Sequence, residues 1–115
     1  MISILVDEGY AYDYLSILIV KSKKLKTDKA LETRDKCNEF IMEQVGDDKH
    51  LEILSSDEFI SLFNTNSETF DGVEKARYGK ISAKELDDLN MKRYNCKVLL
   101  QNKFFPQKTI SELKS

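Results

Sequence analysis

Proline occurs once in these 115 residues, glycine four times, histidine once and tryptophan not at all. So few turn formers leave little room for tight turns, and most of the chain is expected to be helix. The two cysteines, Cys37 and Cys96, have no metal-ligand spacing and cannot form a multi-bridge framework. Each falls on the apolar face of an expected helix, which predicts a buried free thiol. Charge of one sign is also missing: the net charge is -2 and lysines alternate with acids. Nucleic acid, bound chiefly by neutralising phosphates, is therefore an unfavoured partner, and only the Lys21 to Lys29 stretch offers a lysine face. No apolar run approaches the roughly 20 residues that span a membrane, and there is no cationic leader. A cytoplasmic protein with no membrane partner is the expectation. Phosphate-loop, dinucleotide-turn, HExxH and serine-elbow motifs are absent as well, so no cofactor or metal is expected and catalytic residues are unknown.

What is present begins with Gly9 to Lys26, the only segment apolar on nearly every side. A strand over Leu15 to Val20 is conceivable, because Ile17, Ile19 and Val20 are β-branched. Ala11, Leu15 and Leu18, however, recur at helical spacing. A helix apolar all round must be buried all round, which makes this one the central rod of a single domain.

The segments around it follow in order. Residues 1–8 read as a short strand, Ile2 to Val6, paired with Leu51 to Leu54 or with a second copy, and then Asp7 as a helix cap. Residues 9–46 form a helical hairpin, its second helix running from Asp28 to Val45 after a Thr27 cap and stopping at Gly46. In the variable middle, 47–80, Ser55 and Glu58 make a capping box. Asn64, Asn66 and Ser67 interrupt or bend the helix behind it, a further helix reaches about Tyr78, and Gly79 ends it. His50, beside Asp47 and Asp48, reads as part of a solvated loop. A second box, Ser82 with Glu85, opens a helix roughly 35 Å long that ends before Pro106. The tail, 107–115, holds a third box at Thr109 and Glu112. The expected fold is thus mostly α, an antiparallel bundle of about four helices with a short N-terminal strand.

Only three basic residues are arginine, and two of them, Arg77 and Arg93, interrupt apolar stripes, as Asp13 does on the first helix. A guanidinium turned toward a core must be paired, because a buried lone charge costs several kcal/mol. Arg77 and Arg93 are therefore expected to meet Asp13, Asp71 or Glu74. Such pairs can serve only the specificity of the bundle, with the arginine heads lying at the surface. They can also wall a polar pocket for an anion, with Arg77, Arg93, Lys21 and Lys97 as its positive side.

Several of these residues carry a resemblance. Val6-Asp7-Glu8-Gly9 with Asp13, Leu15 to Leu18 and Val20-Lys21 come first, then Asn66 with Phe70-Asp71, Glu74 and Arg77. Asn90, Arg93, Lys97 and the closing Glu112, Lys114 and Ser115 complete the set. Together they resemble a family of short bacterial and phage proteins known only as a domain of unknown function, some encoded beside sugar-transfer and surface-polysaccharide genes. Tyr10, Tyr14 and Ile19 depart from its pattern. The resemblance implies a mostly helical protein without an established reaction, and it singles out Asp13, Asp71, Glu74, Arg77 and Arg93.

Two functions follow. One is a non-enzymatic intracellular module that binds protein, beginning with itself as a homodimer, because its helices are longer than its core needs. The other is a small enzyme or binding protein for an anionic compound, of phosphate or sugar-nucleotide type, that uses the arginine and acid cluster.

Overall fold

The computed structural model describes residues 5–106, and among them lie five α-helices and no strand. The helices are α1 (Glu8–Leu25), α2 (Asp28–Val45), α3 (Asp47–Leu54), α4 (Asp57–Arg77) and α5 (Ala83–Phe104). The mostly helical expectation holds, with five helices where about four were expected. Of the expected strand, Ile2 to Ile4 lie outside the described residues, and Leu5 and Val6 are not in a strand. Its proposed partner, Leu51 to Leu54, belongs to α3. The box at Thr109 and Glu112 also falls outside the described residues.

Helix α1 is the rod that its composition demands. Tyr12, Leu15, Ser16, Leu18 and Val20 are buried, and α2, α4 and α5 all pack against it. Its outer edge keeps Tyr10, Tyr14 and Lys21 exposed. Asp7 occupies the N-cap position, but its side chain makes no capping bond. One free N–H of the first turn is served from across the bundle instead: Gly9 N donates to Gln101 Oε1 on α5. The same Gln101 amide donates to Glu8 Oε1 at 3.1 Å and to the Phe105 carbonyl at 3.4 Å, which ties the start of α1 to the end of α5.

Thr27 caps α2 as expected, its hydroxyl accepting from Ala30 N at 3.1 Å. The stop at Gly46 has φ 100°, a backbone that side chains rarely adopt. The capping serine of α4 is Ser56, one residue later than the expected Ser55. Ser55 Oγ donates to the Leu51 and Glu52 carbonyls and so closes α3, while Ser56 Oγ accepts from Phe59 N. Glu58 makes an ion pair with Lys103 at 3.0 Å.

Helix α4 is continuous through Asn64, Asn66 and Ser67, where an interruption or a bend was expected. Three of its polar side chains, Thr65, Asn66 and Thr69, have partners that leave the backbone ladder intact. Thr65 and Thr69 hydroxyls donate to the carbonyls one turn back, both at 2.8 Å, and Asn66 reaches over to α1. The capping box of Ser82 and Glu85 is formed, and α5 then runs for 22 residues without interruption. Gly72 lets α5 approach α4: a Cβ there would stand 2.9 Å from Leu89 Cδ1. The buried cluster of Tyr12, Leu15, Ile41, Ile53, Phe59, Leu62, Leu100 and Phe105 gathers at one end of the bundle. The late halves of α1 and α4 and the early half of α5 make the thinner end.

Candidate functional site: a cleft walled by two arginines

The thinner end holds a cleft of about 260 Å³ where α1, α4 and α5 meet. Ile17, Val20, Phe70 and Val73 give it apolar walls, and Thr69, Asn66, Glu74, Arg77 and Arg93 supply polar groups. These residues converge because α4 presents positions 66, 69, 70, 73 and 77 on one face, while α5 crosses behind with Arg93.

Beside it lies a buried polar knot. The Asp13 side chain is 9% exposed, and its Oδ1 accepts from Asn66 Nδ2 at 2.9 Å. The same nitrogen donates to Ser16 Oγ, whose hydroxyl proton goes to the Asp13 carbonyl at 2.7 Å. Arg93 Nε stands 3.9 Å from Asp13 Oδ2, near enough for attraction and too far for a hydrogen bond. Arg77 Nη1 lies 3.7 Å from Glu74 Oε1. Among the described residues no group accepts a hydrogen bond from either guanidinium. Asn66 Oδ1 is likewise buried without a donor.

The seven candidate residues thus divide. Glu74, Arg77 and Arg93 line the cleft and Asp13 lies beside it against Arg93, although the Arg77 side chain is 64% exposed and does not face a core. Its place as the last residue of α4, beyond the packed half of that helix, accounts for the exposure. Asp71 leaves the group: it pairs with Lys24 at 3.2 Å and lines a separate cleft between α4 and α5. Lys21 is exposed on α1. Lys97 lies between two phenol rings, 5.4 Å from the centre of Tyr10 and 5.5 Å from that of Tyr94. That places it on an aromatic face of α1 and α5, where cation–π attraction holds it.

The second cleft, about 450 Å³, carries Glu68, Asp71, Glu85 and Asp88 against Lys75 and Lys92. Among the described residues no group of three His, Cys, Asp or Glu side chains is arranged to hold a metal ion.

His50 corrects the sequence reading, because it is fully buried within α3. Asn38 Oδ1, which can only accept, lies 2.7 Å from Nε2, so Nε2 carries the proton. Nδ1 then accepts from the Tyr12 hydroxyl at 2.8 Å. Burial lowers the His50 pKa, opposed by nearby Asp47, and burial with Glu8 raises that of Tyr12. Both groups are held neutral, as a core needs. The one available signal was the three-residue spacing of His50 and Ile53 on one helix face. Burial also raises the Cys37 thiol pKa, which keeps that sulfur protonated and inert.

No protein-family model, curated protein or solved structure matches this chain.

Proposed function

We propose that this protein is a non-enzymatic helical interaction module that assembles first with a second copy of itself. The observation that supports it is the sparse covering of α5. Of its 22 residues only Leu100 and Gln101 are buried. Met91 is 62% exposed and Leu99 61%, with Tyr94 near them at 46%. Leaving such a row in water forgoes roughly 25 cal/mol for each Å² that could be covered.

A two-fold antiparallel crossing of α5 near Asn95 suits this face. It sets Met91 of each copy against Leu99 of the other and opposes the helix dipoles. It also brings the acidic end at Asp87 and Asp88 alongside the end that carries Lys103. Tyr10 and Tyr94, steadied by Lys97, extend the face onto α1.

Sedimentation equilibrium at micromolar concentration tests the reading. A dimer is expected for the native chain and a monomer of unchanged helicity for the Met91→Glu, Leu99→Glu double variant. A native chain that stays monomeric overturns it.

A further inference from the structure

We propose that the cleft between α1, α4 and α5 is a binding site for a small monocarboxylate with an apolar body. This site is distinct from the assembly face, since none of Met91, Tyr94 or Leu99 lines it.

The support is donor capacity that no described residue takes up. A guanidinium offers five N–H groups in a planar fork that matches a carboxylate. Arg77 and Arg93 both line the cleft, and among the described residues each has only a long ion pair, at 3.7 Å to Glu74 and 3.9 Å to Asp13. No described residue accepts a hydrogen bond from either.

Size and charge narrow the class. At about 260 Å³ the cleft matches a small ligand. Glu74 and Asp13 offset the two arginines one for one, which disfavours a phosphate dianion and leaves a single carboxylate, held by the guanidinium N–H groups, as the better match. Ile17, Val20, Phe70 and Val73 would cover the apolar body.

N-acetyl-leucine is the probe, because it joins a carboxylate and an apolar side chain. It is titrated into the native full-length chain and followed by heteronuclear NMR. Saturable shifts are expected at the Asn66 side-chain amide and the Val20 and Val73 methyls. N-acetyl-leucinamide, which lacks the charge, and inorganic phosphate, which lacks the apolar body, are each expected to bind at least ten-fold more weakly. Arg77→Gln, at an exposed position, should fold normally and weaken N-acetyl-leucine about ten-fold. Arg93→Gln should do the same, with its fold checked by circular dichroism. Equal affinity for acid and amide, tighter binding of phosphate, or no shift at these three residues overturns the proposal.

Discussion

His50 is the residue through which this protein should feel mild acid. Buried between the Tyr12 hydroxyl and Asn38, it is held neutral, with its pKa below the ordinary value of 6.5. In the unfolded chain it protonates near that ordinary value. Between the two pKa values the unfolded state binds the extra proton, so stability falls as the pH drops below about 6.5 and is complete above it. Urea unfolding of the native chain should therefore give a lower midpoint at pH 5.5 than at pH 7.5. In His50→Gln this difference should shrink, whereas an unchanged difference would assign the acid sensitivity elsewhere. The carboxylates held below their ordinary values, Glu32 and Glu58, act in a lower range. Sequence pattern could find Asp13 and Arg93, because a charge in an apolar stripe is visible locally. It could not find Asn66 or His50, whose partners Asp13 and Tyr12 lie 53 and 38 positions away in the chain.

At the scale of the element, helix ends were legible where the stop or cap is chemically unambiguous. Helix α2 begins after Thr27 and ends at Gly46, and α5 opens on its box at Ser82, as read from the sequence. Adjacent serines at 55 and 56 were not separable, because the choice rests on which hydroxyl closes α3. The two helical glycines do different work, and single substitutions should separate them. A Cβ at Gly9 would stand 3.0 Å from the Lys97 carbonyl oxygen, a backbone atom that cannot step aside without moving α5. Gly9→Ala should cost about 1–3 kcal/mol, read from the urea midpoint. At Gly72 the nearest atom is a leucine methyl, which can rotate away, and alanine recovers up to about 1 kcal/mol of helix propensity. Gly72→Ala should thus be close to neutral. Lys26 ends α1 in the left-handed region at φ 55°, so Lys26→Gly should raise the melting temperature, by a few degrees if the gain is about 0.5–1 kcal/mol.

The whole molecule has a dense end and a sparse one, and this division was the part least legible beforehand. Counting apolar residues along α5 shows a stripe from Leu86 to Phe104, but not that only its last turns reach the buried cluster. The sparse end also carries the arginine cleft, so the surfaces proposed for binding lie on the less tightly held part of the bundle. Low-stability regions open without global unfolding, and their amides exchange sooner. Hydrogen exchange should therefore be slowest in the first half of α1, the first half of α4 and the last turns of α5. Residues 72–77 and 83–92 should exchange faster. A core truncation gives the complementary sign: Leu62→Ala, at a fully buried position, should cost about 2–5 kcal/mol and speed exchange at the dense end most. Self-association through Met91 and Leu99 adds a further condition. Protection of α5 from about 88 to 99 should rise with protein concentration, and it should not do so in the Met91→Glu, Leu99→Glu variant. Concentration-independent exchange there would leave α5 as an uncovered helix in a monomer and remove the reason given for its length.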